Sequence, residues 1–199
     1  MNIFTTIKFR YFHFLNKGGR QMKIKQIEAV FLDRDGTIGG GSTIHYPGEF
    51  KLFLYTASTL DRLKRDQIKV FSFTNQPGIS KGLATVRDFQ HELTGFGFDD
   101  VYICPHSPHA DCLCRKPAIG MLREAQQMHH LNLKNCVVIG DRWTDMLAAA
   151  EAGCIKILVR TGAGEASLHD HQQEIKNLSI DYVARDLSDA VHWLYEQHT

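Results

Sequence analysis

The sequence predicts an α/β fold in which a parallel sheet is covered by helices on both faces. Short apolar runs rich in β-branched residues alternate with segments of helical periodicity from about residue 28 onward, which is typical of parallel strands joined by helices. The apolar runs are nearly continuous, as expected of strands buried on both sides. A length of 199 residues suits one such domain with a substantial core.

Six segments are predicted to be strands, because each is short, apolar and rich in β-branched or aromatic residues. The first reads "EAVFLDRDG", the second "IKVFSFTNQ" and the fourth "NCVVIGD". In chain order the predicted strands are 28–36, 68–76, 100–104, 135–141, 155–162 and 181–184.

The segments between these strands predict helices. In the first of them Leu54, Leu60 and Leu63 recur at helical spacing. Pro117 is tolerated in a first turn and starts the third helix, and Gly153 is a suitable stop for the fourth. The predicted helices are 54–66, 84–93, 118–130, 143–153, 165–177 and 187–197.

The composition excludes several classes of protein. Hydrophobic residues make up 43% and charged residues 23%, and the formal net charge is +1, so no general attraction to nucleic acid or membrane is expected. No apolar run approaches the length of a membrane span. Five cysteines, three of them clustered, favour reduced thiols over a disulfide framework. We expect a cytoplasmic protein, monomeric and without a nucleic-acid or membrane partner.

Residues 1–21 differ from the rest of the chain. They carry four basic residues and no acid, and Lys8 and Arg10 interrupt the apolar stretch that a secretory signal would need. Two interpretations are open: a loosely attached N-terminal arm, or an artefact of the assigned start, with Met22 as the natural first residue. The predicted domain spans 22–199.

Three of the predicted strands end in polar side chains. Because the carboxyl ends of parallel strands meet at one edge of a sheet, where ligands bind, these side chains are expected to converge. Clustered carboxylates repel one another unless a cation neutralises them, and oxygen ligands favour Mg²⁺. Separately, Asp35 could belong to a turn and Asp141 could cap a helix, but coincidence at all three strands is a weaker explanation. The residues are Asp33, Asp35, Thr74, Asn75, Asp141 and, one helical turn later, Asp145.

The stretch "CPHSPHADCLCRKP" contains a candidate zinc site. Cys104, His106, Cys112 and Cys114 have the spacing C-x-H-x₅-C-x-C, and three thiolates with one imidazole form a structural Zn²⁺ set. Buried structural thiols are the alternative, but the intervening residues are those of an exposed loop. His109 is interpreted as a solvated histidine of that loop.

Four segments in order, "FLDRDGTI", "SFTNQ", "CRKP" and "VIGDRWTD", resemble the motifs of the haloacid dehalogenase superfamily of phosphatases. The resemblance covers about residues 28 to 162 and implies a Rossmann-like core. The segment 77–100 is too short for a large cap domain, so a fairly open site is expected.

The resemblance also implies roles for the matching residues. Asp33 would attack phosphorus, and Asp35 would protonate the leaving oxygen and later activate water. Mg²⁺ would be held by Asp33, Asp141 and the main-chain carbonyl of Asp35. The phosphoryl oxygens would be bound by Thr74, Asn75, Arg115 and Lys116.

The cysteine pattern is similar to the zinc loop of one subgroup, subfamily IIIA, which holds the heptose bisphosphate and histidinol-phosphate phosphatases. A four-ligand zinc is closed to catalysis, but fixing Cys114 would orient the adjacent Arg115 and Lys116. The substrate is expected to be a small sugar phosphate such as a heptose bisphosphate, with histidinol phosphate as the alternative. A polynucleotide 3′-phosphatase and a non-catalytic, zinc-organised binding module are the further alternatives. The retention of both Asp33 and Asp35 favours an enzyme.

Overall fold

The computed structural model describes residues 27–198. The predicted N-terminal arm or start-site artefact at 1–21, and the proposed start at Met22, lie outside that range. Within it the chain forms a six-stranded parallel sheet with the strand order β3-β2-β1-β4-β5-β6.

All six predicted strands are present; β3 has the predicted bounds, and the other five are shorter than predicted. They are β1 (Ala29–Leu32), β2 (Lys69–Asn75), β3 (Asp100–Cys104), β4 (Cys136–Gly140), β5 (Ile155–Val159) and β6 (Tyr182–Ala184). β1 lies between β2 and β4 in the sheet. The chain adds β2 and β3 on one side of β1, and then β4, β5 and β6 on the other. Strand order reverses there, so the ends of β1, β2 and β4 face a shared crevice.

The described helices follow the strands in the predicted order. They are α1 (Thr56–Arg65), α2 (Val86–Gly95), α3 (Gly120–His129), α4 (Trp143–Ala152), α5 (Gly164–Asp170), α6 (Gln172–Leu178) and α7 (Leu187–His198). Gly153 ends α4 with φ +75°, as predicted from its freedom in the left-handed region.

Three details of the helix prediction were wrong. Leu54 was assigned to the apolar face of the first helix, but it precedes α1 and is fully exposed. Pro117 lies in the loop before α3, which begins only at Gly120. The single helix predicted at 165–177 is two helices. The break falls at His171, with φ −118° and ψ 35°, where the imidazole stacks on Trp143 at a centroid distance of 4.4 Å.

Each face of the sheet has its own core, because side chains of a strand alternate between faces. Val30 and Leu32 of β1 point to one core, which α1, α2 and α7 cover. Ala29 and Phe31 point to the other, which α3 and α4 cover. This two-sided burial confirms the predicted fold class and fixes the register in which β1 and β4 end side by side.

The segment between β2 and β3 is short, as expected of a protein without a large cap. It contains one turn of 3-10 helix at Ile79–Lys81 and then α2. None of the helices between residues 27 and 198 has the length and hydrophobicity needed to cross a membrane.

Candidate functional site

Three carboxylates meet at the crevice where β1 and β4 end. Asp33 follows β1, Asp141 follows β4, and Asp145 lies in the first turn of α4. One oxygen of each lies within 4.8 Å of the others, and all three residues are buried. The predicted convergence of Asp33 and Asp141 is therefore present, and Asp145 joins them.

The electrostatics of this cluster fit a cation. Burial, and then the charges of Asp33 and Asp145, raise the pKa of Asp141 to about 8. Its Oδ2 accepts a hydrogen bond from the main-chain N–H of Ala163 at 2.7 Å, but its Oδ1 is buried without a hydrogen-bond partner. A buried oxygen of this kind is costly unless something binds it. Oxygen donors around an unsatisfied carboxylate are the ligands that Mg²⁺ prefers.

Lys116 brings a positive charge into the same cluster. Its Nζ lies 3.0 Å from Asp33 Oδ1 and 2.7 Å from Asp145 Oδ1, and it donates to the carbonyl of Phe73 at 2.5 Å. Burial alone would lower the pKa of Lys116, but the Asp145 and Asp33 carboxylates outweigh it and raise that pKa above its usual value. The ammonium group is therefore held charged beside Asp33.

Asp145, one helical turn after Asp141, makes two polar contacts in the cluster. Its Oδ1 pairs with Lys116, and its Oδ2 accepts from the main-chain N–H of Arg142 at 2.9 Å, at the start of α4. The pKa of Asp145 is raised to about 6, because burial raises it and the nearby Lys116 charge offsets only part of that effect. The residue connects the helix that follows β4 to the lysine of a different loop.

The polar residues at the end of β2 hold their neighbours in place. Asn75 receives a hydrogen bond from the main-chain N–H of Lys116 at 3.1 Å, and its own amide donates to the Lys116 carbonyl at 3.3 Å. The oxygen and the nitrogen of the Asn75 side-chain amide thus both fix the main chain of Lys116. Thr74 is buried, and its hydroxyl accepts from Gln76 Nε2 at 3.0 Å.

Asp35 lies outside the three-carboxylate cluster and is held by donors from three directions. Its Oδ1 accepts from Arg34 Nη1 and from the main-chain N–H of His45, each at 2.9 Å. Its Oδ2 accepts from Gln76 Nε2 at 2.8 Å. The following residue, Gly36, has φ +87°, and a Cβ there would lie 2.3 Å from Asp141 Oδ2. Only glycine allows this turn to pass so close to the carboxylate cluster.

The four predicted sulfur and nitrogen ligands form a second cluster. Cys104 Sγ lies 3.7 Å from Cys112 Sγ and 3.6 Å from His106 Nδ1, which lies 3.1 Å from Cys114 Sγ. Ligands about 2.3 Å from a tetrahedral zinc would lie about 3.8 Å apart, so the spacing fits that ion. His109 is exposed and is not a member of the cluster.

Burial, together with the neighbouring thiols, raises the pKa of Cys114 to about 12. The negative charge of the Cys114 thiolate is therefore disfavoured unless a cation binds beside it. The adjacent Arg115 donates from Nη1 to the carbonyl of His106 at 3.4 Å. Arg115 therefore contacts the segment 104–114 that carries the four clustered residues, which we call the Cys/His loop, while Lys116 contacts Asp33.

Four residues in and around the site were not identified from the sequence: Arg34, His45, Gln76 and Glu92. Gln76 directly follows "TN", and its position at the end of β2 was an available signal. His45 contributes a main-chain group, which its side-chain type cannot indicate. Arg34 lies within "FLDRDGTI", but its partner Glu92 is separated from it by 58 residues, so the pair leaves no local signal.

Comparison with known proteins gives consistent matches. Residues 113–190 match a family model described as HAD-hydrolase-like. The D-glycero-beta-D-manno-heptose-1,7-bisphosphate 7-phosphatase of Bordetella bronchiseptica is 33% identical over 153 residues, covering 71% of this chain and 86% of that protein. The enzyme of the same name from Photorhabdus laumondii is 34% identical, covering 83% of this chain and 95% of its own length.

A solved structure agrees in fold. It is the D,D-heptose 1,7-bisphosphate phosphatase from B. bronchiseptica, complexed with magnesium and phosphate. It aligns with a TM-score of 0.72 and 28% sequence identity, over 85% of this chain and 98% of that one.

Proposed function

The chain belongs to the haloacid dehalogenase superfamily of hydrolases and is a phosphatase, and we propose that it removes one phosphate group from a heptose bisphosphate. The observation that carries the proposal is the placement of Asp33 at the end of β1, with the Lys116 ammonium at 3.0 Å and two further carboxylates beside it. The curated relatives named above are heptose bisphosphate phosphatases, which favours that substrate over histidinol phosphate.

In the first step, an Asp33 carboxylate oxygen attacks phosphorus and forms a phosphorus–oxygen bond as the bond to the sugar oxygen breaks. Asp35 gives its proton to the departing sugar oxygen, so the sugar leaves as an alcohol. A carboxylate nucleophile of this kind divides one difficult displacement into two easier ones. The Asp33 Oδ1 already accepts from the main-chain N–H of Arg34 at 2.8 Å, which orients the carboxylate.

In the second step, water attacks the phosphorus of the aspartyl phosphate and Asp35 takes the proton from that water. The bond between phosphorus and Asp33 breaks, which releases phosphate and restores the carboxylate. Thr74, Asn75, Arg115 and Lys116 bind the phosphoryl oxygens in this proposal. Lys116 has the largest part, because its charge faces Asp33 and phosphoryl transfer depends on neutralising developing charge.

Asp33, Asp141 and the main-chain carbonyl of Asp35 would hold Mg²⁺, which neutralises charge on the phosphoryl group when it is bound. The buried, unpartnered Oδ1 of Asp141 supports this assignment. Asp145 supplies the carboxylate that orients Lys116 within the same cluster.

Cys104, His106, Cys112 and Cys114 would hold Zn²⁺ as a structural ion. Three thiolates and an imidazole complete a tetrahedral set and leave no open position, so the ion would stabilise the loop rather than take part in the reaction. The domain boundary at residue 22 and the expectation of a cytoplasmic monomer without a nucleic-acid partner remain predictions.

A substrate panel tests the function. We expect kcat/KM for D-glycero-D-manno-heptose 1,7-bisphosphate to exceed that for histidinol phosphate and for a 3′-phosphorylated oligonucleotide by at least about 100-fold. Phosphorus NMR of the product identifies which phosphate is removed. A preference for histidinol phosphate or the oligonucleotide would replace the proposed substrate. If none of these esters is hydrolysed, and p-nitrophenyl phosphate is not hydrolysed either, the non-catalytic binding module would be favoured.

Stability of the metal-free protein should fall as the pH rises. Because the pKa of Asp141 is raised from 3.8 to about 8 on folding, the folded chain keeps a proton between these values that the unfolded chain has lost, and stability decreases as pH rises through this window. Mg²⁺ binds the deprotonated form, so it should raise Tm by at least about 4 °C more at pH ~8 than at pH ~5.

Thermal unfolding with Mg²⁺ and with EDTA at both pH values measures this effect. Asp141→Asn is the matched control, since it keeps the shape and removes the titrating group, and its Tm should respond little to Mg²⁺. An equal Mg²⁺ response of the unaltered protein at the two pH values would contradict the assignment of Asp141.

The proposed zinc and magnesium ions should differ in how readily EDTA removes them from the protein. Zinc should stay with the protein at one ion per chain after brief EDTA treatment, because four protein ligands enclose it. Mg²⁺ should be removed at once, and turnover with it. Metal analysis of protein prepared under reducing, chelator-free conditions checks the content, and a preparation without zinc would refute the structural-ion assignment.

A further inference from the structure

Arg34 stands between Asp33 and Asp35 in the sequence, and its side chain is fully buried. Its Nη1 donates to Asp35 Oδ1 at 2.9 Å and to the carbonyl of His45 at 2.7 Å. A buried guanidinium is costly unless its donors are satisfied, and these two contacts use only one of its three nitrogens. The partners of the other two nitrogens, Nε and Nη2, show which residue holds the guanidinium group in place.

Glu92 of α2 occupies the opposite edge of the guanidinium. Its Oε1 accepts from Arg34 Nε at 3.0 Å and from Nη2 at 2.5 Å. Its Oε2 accepts from the main-chain N–H of Gly48 at 3.3 Å. Glu92 itself makes no described contact with Asp35, so any effect it has on that residue passes through Arg34.

Two aromatic rings complete the surroundings. The guanidinium carbon lies 3.7 Å from the centroid of Phe50 and 5.0 Å from that of Phe89. The guanidinium group is planar and rigid, so when Glu92 and the rings fix its outer edge, the direction of Nη1 toward Asp35 is fixed as well. The contacts come from α2 and from the loop after β1, two parts of the chain that are separated in sequence.

We infer that Arg34 and Glu92 form a positioning pair for Asp35: Arg34 sets the orientation of that carboxyl group, and Glu92 holds Arg34. The inference rests on the proposed function, in which Asp35 transfers the proton. A proton donor must lie within hydrogen-bond reach of the departing oxygen, and a carboxyl group free to rotate would lose that placement. Through Glu92, the helix α2 thereby contributes to the chemical step.

Leaving-group dependence separates this role from a purely structural one. Breaking the bond to a sugar alcohol needs a proton from Asp35, whereas p-nitrophenolate departs as a stable anion without one. The value of kcat/KM reports the steps through departure of the leaving group. Misplacing Asp35 should therefore lower kcat/KM for the sugar ester and leave that for p-nitrophenyl phosphate nearly unchanged, while general damage to the site would lower both.

The experiment compares Glu92→Ala and Glu92→Gln in the full-length, metal-loaded protein on heptose 1,7-bisphosphate and p-nitrophenyl phosphate. For Glu92→Ala we expect a loss of at least about 10-fold on the sugar ester and less than about 3-fold on the aryl ester. Glu92→Gln should restore part of the loss, because its amide oxygen can still accept from Arg34. Glu124→Gln, at an exposed position of α3, controls for removal of an acid.

Asp35→Asn provides the reference. It should show the same selectivity for the sugar ester with a larger loss, about 10²–10⁴-fold, and adding Glu92→Ala to it should cost little more. Suppose that Asp35→Asn lowers kcat/KM for the sugar ester selectively, but Glu92→Ala either has no effect or lowers kcat/KM for both substrates equally. The positioning pair is then refuted while the proposed function stands. If Asp35→Asn itself lowers both equally, the proposed proton transfer is wrong.

Discussion

Asp33→Asn is expected to reduce turnover by about 10⁴–10⁶-fold, to the background rate, because an amide cannot attack phosphorus in place of the carboxylate. The fold should survive. Asparagine keeps the size of the side chain and removes one of the charges that raise the pKa of Asp141. Lys116 loses Asp33 as an ionic partner but keeps Asp145, so melting should occur at a similar temperature. Steady-state kinetics with excess Mg²⁺, together with thermal unfolding, measure both results.

Asp61→Asn is the matched control, since Asp61 is an exposed acid of α1 on the surface of the same protein. It should leave kcat/KM unchanged. Activity of Asp33→Asn above a tenth of the unaltered protein would reject Asp33 as the nucleophile. A large drop in Tm would instead mean that the asparagine disturbs packing at the end of β1.

Lys116→Met is expected to lower kcat by about 10²–10³-fold, because it removes the cation that is proposed to neutralise the phosphoryl group while keeping a side chain of similar length. It also leaves Asp145, which is fully buried, without its positive partner. Loss of one member of a buried ion pair costs about 3–5 kcal/mol, so the kinetics must be measured well below the melting transition. A kcat within threefold of the unaltered protein would refute the proposed role of Lys116.

The Cys/His loop should act on the same step through Lys116. Cys112→Ser weakens one of the four proposed zinc ligands and is expected to lower kcat by about tenfold, less than Lys116→Met, because Asn75 and Asp145 still hold the lysine. The sheet should remain folded, since the loop can loosen without opening the core. When Cys112→Ser and Lys116→Met are combined, the loss of kcat, expressed as free energy, should be clearly smaller than the sum of the two single losses. Additive losses would mean that the loop and the lysine act independently.

The order of strands and helices could be predicted from the sequence because buried parallel strands are distinctive apolar runs. The errors fall where a local pattern has more than one explanation. Leu54 fits the helical spacing of Leu60 and Leu63, yet it lies outside α1 and in solvent. The break at His171 depends on a ring contact with Trp143, which no local pattern of apolar residues encodes.

The same division applies to the site. Asp33 and Asp141 could be chosen by their place after strands, and the four clustered cysteine and histidine residues by type and spacing. The described geometry brings each set together. The partners of these residues depend on tertiary contacts. Asn75 reaches the main chain of Lys116 across 41 residues, and Glu92 reaches Arg34 across 58. Pairings over such distances leave no periodicity that a single sequence reveals.

The Cys/His loop also bears on how this protein could be adapted to other esters. None of residues 107–111, between His106 and Cys112, is buried, and the four clustered cysteine and histidine side chains lie outside that stretch. Its length and side chains can therefore be exchanged at little cost to the hydrophobic core, since flexible loops tolerate insertion well. For directed evolution, this stretch offers an exposed segment that can be rebuilt while Asp33, Asp35 and Lys116 keep their places.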